Sequence, residues 1–129
     1  MKIYLAARYD RRNEIQGYAN ILEKEYGVEI TSTWHSRQEE PNRDLDKYPQ
    51  SMRTFAEWDL RDLNQADVII LFSDERGEFP NGGGKDVELG IALGRGLEII
   101  SIGPYENVFH FLEDVDRYET FDHFVSVYF

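Results

Sequence analysis

Apolar and polar positions alternate along the chain between short runs and periodic stretches. Residues 2–7 form a nearly continuous apolar run, as in a strand buried on both faces, and it ends where Arg8, Tyr9 and Asp10 open a polar stretch. From Asp10 to about Tyr26, the positions Ile15, Tyr18, Ala19, Leu22 and Tyr26 recur at three- and four-residue spacing. That spacing predicts a helix with one inward face, and Gly27 closes it. Residues 28–34 alternate and carry β-branched side chains, which predicts a second strand. A helix follows from about Ser51 to Asn64, with Phe55, Trp58, Leu60 and Leu63 as its apolar positions. Residues 67–72 are the most hydrophobic strand and belong at the centre of a parallel sheet. A helix over 85–94 leads to a strand over 98–102, stopped by Gly103 and Pro104. The tail predicts a short helix near 106–112, a strand near 117–120 and a final helix from about 121.

Two stretches carry no period. Residues 35–49 are polar and contain Pro41 and Pro49, while residues 74–84 are acidic and then glycine-rich. Loops of that length serve as lids or binding loops, or are disordered. The order β-α-β-α-β-α-β with a variable end predicts a single α/β domain over residues 1–129. Its architecture is a three-layer, flavodoxin- or Rossmann-like parallel sheet with helices on both faces. Ligands of such sheets sit beyond the carboxyl ends of the strands, near the topological switch point. Chemistry is therefore expected in residues 7–11, 34–49, 73–84 and 103–107.

Charge and composition narrow the partners. The 14 Lys and Arg against 25 Asp and Glu give a net charge of -11, which speaks against a protein that clings to nucleic-acid backbones. There is no cysteine, so disulfides, thiolate metal sites and a cysteine nucleophile are excluded. No apolar run approaches the roughly 20 residues of a membrane span, and the first residues meet charge at Arg8, too early for a signal peptide. The expectation is a cytoplasmic protein without membrane or nucleic-acid partners. His35, His110 and His123 share no ligand spacing beyond the His110–Glu113 pair, so no metal is expected, and nothing in the chain calls for another cofactor.

The familiar phosphate motifs fail on inspection. A P-loop ending at Gly84-Lys85 would need Gly at 79 and Ser or Thr at 86, where Phe79 and Asp86 stand. A dinucleotide fingerprint starting at Gly82 and Gly84 meets Val87 in its third glycine place. No serine elbow is present. What survives is the run Gly82, Gly83 and Gly84 leading into a helix whose first N–H groups can meet an anion, or else a plain flexible turn. Among the carboxylates, Glu88 stands one turn into that helix between Val87 and Leu89, and Asp59 stands among Phe55, Trp58 and Leu60. Two carboxylates from different helices meeting in one crevice suit cleavage of a glycosidic bond, one as nucleophile and one as acid or orienting partner. Acids that simply favour helix N-termini are the alternative.

These segments together resemble the nucleoside 2-deoxyribosyltransferase superfamily, which includes the 2′-deoxynucleoside 5′-monophosphate N-hydrolases. The resemblance spans roughly residues 1–107 and rests on three blocks: Met1 to Ala6, Trp58 to Val68 with its D-L-x-x-L-x-x-A-D pattern, and Gly83 to Leu93 with E-L-G-x-A. It implies that Glu88 is the nucleophile attacking C1′ of the sugar, and that Asp59 contacts sugar and nucleophile or protonates the leaving base. Tyr4 matches a tyrosine that hydrogen-bonds the nucleophile; a core aromatic is the alternative. In the monophosphate hydrolases the loop after the first strand holds the 5′-phosphate. Here that loop runs from Ala7 through Arg8 and Arg11 and carries three arginines in five residues, so Ala7, Arg8 and Arg11 join Gly83 and Gly84 as substrate-binding candidates. Asn107 matches an asparagine that contacts the sugar 5′-hydroxyl, at times of a neighbouring subunit. The implied substrates are a deoxynucleoside or deoxynucleotide and an acceptor nucleobase, and the implied assembly is a homodimer or larger homo-oligomer. Transfer to another base leads; a water-accepting hydrolase and a non-catalytic nucleotide-sensing module are the other readings.

Overall fold

In a computed structural model of the chain, residues 1–37, 47–76 and 83–129 are described. Five parallel strands form one sheet: β1 (Lys2–Ala6), β2 (Glu29–Ile30), β3 (Val68–Phe72), β4 (Glu98–Ile102) and β5 (Val115–Tyr118), in the order β2-β1-β3-β4-β5. The register aligns Tyr4 with Ile69 and Ile69 with Ile99 across the three central strands. Every residue of β3 is buried, as the unbroken apolar run requires of a strand covered on both faces. Four α-helices accompany the sheet: α1 (Arg12–Tyr26), α2 (Pro49–Asn64), α3 (Gly84–Arg95) and α4 (Phe121–Tyr128). This is the α/β architecture that the alternation of elements predicts. Among the described residues no helix is long and apolar enough to cross a membrane.

Side-chain alternation on the strands separates the two helical layers. Phe72 stacks on Tyr18 of α1 at 5.2 Å, and Tyr18 stacks in turn on Phe121 of α4 at 4.2 Å, so α1 and α4 share one face. Tyr4, of opposite parity to Leu5 and its partner Ile70, points to the other face, where its hydroxyl meets α3.

Three element boundaries differ from the sequence reading. The second strand is two residues long, not seven. The Thr31 N–H still donates to the Ile3 carbonyl at 2.8 Å, and beyond it side chains take over the hydrogen bonds of β1. Ser32 Oγ accepts from the Leu5 N–H at 3.1 Å, and Trp34 Nε1 donates to the Leu5 carbonyl at 2.7 Å. The fifth strand begins at Val115, two residues early, because pairing with β4 aligns Val115 with Ile99. The first helix is preceded by a 3-10 turn over Tyr9–Arg11. In α2 only Asp62 and Leu63 are buried, and Trp58 and Leu60 are exposed. Of the loop over 35–49, residues 38–46 lie outside the described residues, as do residues 77–82 with Gly82.

Candidate active site

The strand order reverses between β1 and β3, so the crevice beyond their carboxyl ends is the natural ligand site. Tyr4 sits in β1 with no exposed surface, and its hydroxyl donates to Glu88 Oε2 on α3. The hydrogen bond joins the middle of the sheet to the second turn of the helix. The helix begins at Gly84, just after Gly83, whose φ of 84° is a left-handed conformation that glycine adopts without strain. Burial pushes the Glu88 carboxyl up to about 8; the Tyr4 hydrogen bond pulls it down, and Asp59 pushes it up. Burial, then Glu88 and Asp59, raise Tyr4 well above its ordinary value, so its hydroxyl stays a donor. Glu88 and Asp59 thus interact electrostatically across the crevice from two helices.

Asp59 does not stand alone. Arg37, from the turn after β2, donates to Asp59 Oδ1 at 2.9 Å and to Thr33 Oγ1 at 3.2 Å, and its guanidinium lies 5.0 Å from the centre of the Trp58 ring. One turn further along α2, Asp62 is buried and accepts from the Thr33 N–H at 3.1 Å and its hydroxyl at 2.6 Å. Arg61 donates to the other Asp62 oxygen at 3.0 Å. These bonds fix the start of the β2–α2 connection against α2 and aim Asp59 at the crevice. Sequence reasoning found neither Arg37 nor Asp62. Asp62 does fall in the block that carries the family resemblance, whereas Arg37 lies in an aperiodic loop with no signal of its own.

The predicted binding residues are placed as follows. Ala7 is half-buried at the end of β1. Arg8 bonds Asp10 at 2.5 Å. Arg11 is held by Glu14 through two bonds of 2.9 and 2.8 Å, by the Ser73 carbonyl at 3.1 Å and by Asp74 at 3.2 Å. Gly83 and Gly84 form the start of α3. Asn107 accepts from the Phe109 N–H at 3.0 Å, capping the 3-10 turn over Val108–Phe111, and donates to Asp86 at 3.3 Å. Lys85, which the failed P-loop pattern offered for phosphate, is buried instead between Asp74 at 2.6 Å and Glu106 at 2.9 Å.

No family model matches the sequence, and no curated protein matches it. In structure the chain is similar to a 2-deoxyribosyltransferase from the psychrotolerant bacterium Bacillus psychrosaccharolyticus, with a TM-score of 0.65 and 17% identity, covering 95% of this chain and 88% of that one. It is also similar to the CMP N-glycosidase BcmB of Clostridium botulinum, with a TM-score of 0.61 and 17% identity, covering 98% and 96% of the two chains. The chain shares the fold of these two structures along nearly its whole length.

Proposed function

We propose that this protein cleaves the N-glycosidic bond of 2′-deoxynucleosides or their 5′-monophosphates and transfers the deoxyribose to another nucleobase. The observation that carries the reading is the Tyr4–Glu88 hydrogen bond, a buried tyrosine orienting a partly buried carboxylate at the switch point of the sheet. A carboxylate oxygen of Glu88 attacks C1′, the C1′–N bond breaks, and its electron pair leaves with the base, which takes up a proton. A nitrogen of the acceptor base then attacks C1′ from the opposite side and loses its proton, and the Glu88 carboxylate leaves; two inversions give retention. With Arg37 donating to it, Asp59 acts as an acceptor, which suits holding a sugar hydroxyl or guiding the nucleophile. Burial raises the Glu88 carboxyl to about 8, so loss of its proton is part of reaching the reactive state.

Similarity to a CMP N-glycosidase supports a second reading, in which water opens the glutamyl ester and a nucleoside 5′-monophosphate is the substrate. A homodimer or larger assembly belongs to both readings. The purified protein incubated with deoxynucleosides and their 5′-monophosphates, with and without an acceptor base, separates them by chromatography of the products. Base exchange that needs the acceptor is the expected result, and base release without it establishes the hydrolase. Glu88→Gln is expected to lower turnover by at least about 1,000-fold while leaving substrate binding measurable. No turnover on any substrate, with ligands still bound, would establish a sensing module.

A further inference from the structure

Arg37 also lines a cleft that the proposed reaction leaves unused. The cleft has a volume of about 480 Å³; among the described residues its wall is made by Arg12, Asn13 and Gln16 from the first turns of α1 and by His35, Ser36 and Arg37 after β2. None of these six is acidic, on a chain with 25 acids against 14 Lys and Arg.

The charge in this wall is unbalanced on one side. Arg37 is tied back to Asp59 at 2.9 Å and to Asp62 at 3.9 Å, so much of its charge is met by α2. Arg12 meets no carboxylate among the described residues. Its guanidinium rests 4.9 Å from the centre of the Tyr9 ring, and one nitrogen bonds the Tyr9 hydroxyl at 2.5 Å. Beside it, Asn13 is exposed, and Gln16 gives one amide hydrogen to Asn20 at 3.1 Å and keeps a second.

His35 makes the floor neutral. Gln16 Oε1 lies 2.7 Å from its Nδ1, and an amide oxygen only accepts, so Nδ1 carries the proton. Nε2 then accepts from the Ser32 hydroxyl at 2.8 Å. Burial, then the Arg37 charge, lower this histidine to about 4, so it adds no cation near pH 7. A fixed guanidinium with amide donors beside it, over a neutral floor and with no acid among the described residues of the wall, matches a compact oxyanion better than a cation or an apolar group.

We propose that this cleft is an anion site that takes a phosphate group. Arg12 supplies the charge, Asn13 and Gln16 donate beside it, and Arg37 forms the wall shared with the candidate active site. The group is either free phosphate or the phosphoryl end of a nucleotide. The proposal does not depend on Glu88 being a nucleophile, since its readout is binding and not turnover.

The test is a titration of the full chain with inorganic phosphate, followed by nuclear magnetic resonance of backbone and side-chain N–H groups. Saturable shifts centred on Arg12, Asn13 and Gln16 are expected. Arg12→Gln is expected to weaken binding by about tenfold or more. Asn13→Asp, at an exposed position, puts an acid into the wall and is expected to weaken it without disturbing packing. Lys24→Ala, in the last turn of the same helix, is expected to have no effect. Titrating a nucleoside 5′-monophosphate into phosphate-loaded Glu88→Gln protein identifies the source. Displacement of phosphate together with shifts around Tyr4 marks the substrate's own phosphoryl group, and simultaneous binding marks a free anion. Either result keeps the site. Absence of saturable shifts, shifts centred on Arg8 and Arg11, or binding unchanged in both Arg12→Gln and Asn13→Asp would overturn it.

Discussion

Glu88 is held in an environment that opposes its charge, and the nearest group that favours the charge is the Tyr4 hydroxyl. A raised carboxyl pKa means that the reactive anion gains population as pH rises. The proposed reaction is therefore expected to show kcat/KM increasing with pH and levelling off above about 8, where Glu88 loses its proton. Tyr4→Phe removes a hydrogen bond that lowers this pKa, so the rise is expected to move to higher pH, and kcat/KM at pH 7 to fall roughly 10- to 100-fold. A pH–rate profile of both proteins measures this; identical profiles would show that Tyr4 is only a core aromatic. Folding stability carries the same sign. The folded chain holds the Glu88 proton more tightly than the unfolded chain, so this group's contribution falls as pH rises from its ordinary 4.5 through about 8.

At the scale of elements, the crevice depends on how strand ends and helix starts are tied together. Gly103 ends β4 with φ 116°, and a Cβ built there would stand 2.7 Å from Ser73 Oγ at the end of β3. Gly103→Ala is expected to lower stability by about 1–3 kcal/mol or more, since neither the backbone conformation nor the space suits a side chain. Chemical denaturation would show this as a lower midpoint with an unchanged slope. Lys85 binds the start of α3 to Asp74 after β3 and to Glu106 after β4. Its side chain is 1% exposed, so Lys85→Ala removes a buried cation shared by two carboxylates and is expected to cost about 3–5 kcal/mol. A loss within the range of surface pairs, below about 1 kcal/mol, would show that the cluster is solvated in solution.

Across the whole molecule, the net charge of -11 sets copies of the chain to repel one another except where the surface is uncharged. A largely apolar surface exists beside α3, where the exposed Val108 and Phe109 line a groove together with Leu89, Gly90 and Leu93. Exposed apolar groups clustered in this way mark interaction surfaces. The proposed homo-oligomer is expected to use them, with a mass at least twice 15.2 kDa by light scattering and a shift toward monomer in Phe109→Ser. A wild-type monomer at all concentrations would remove the assembly from the proposal.

The sequence by itself determined the alternation of strands and helices, because burial on both faces demands unbroken apolar runs and burial on one helical face demands a period near 3.6. It marked Tyr4, Asp59 and Glu88, because the segments around them are periodic or resemble a family in order. It over-extended the second strand, since alternation over residues 28–34 cannot tell a ladder from a turn whose Ser32 and Trp34 side chains replace the ladder bonds. Only the tertiary structure decided which charges meet. It turned Lys85 inward to Asp74 and Glu106, engaged Arg11 with Glu14 and Asp74, and brought Arg37 to Asp59 across 22 positions of chain. Contacts between side chains on separate loops follow from how the layers pack, and no local pattern records them.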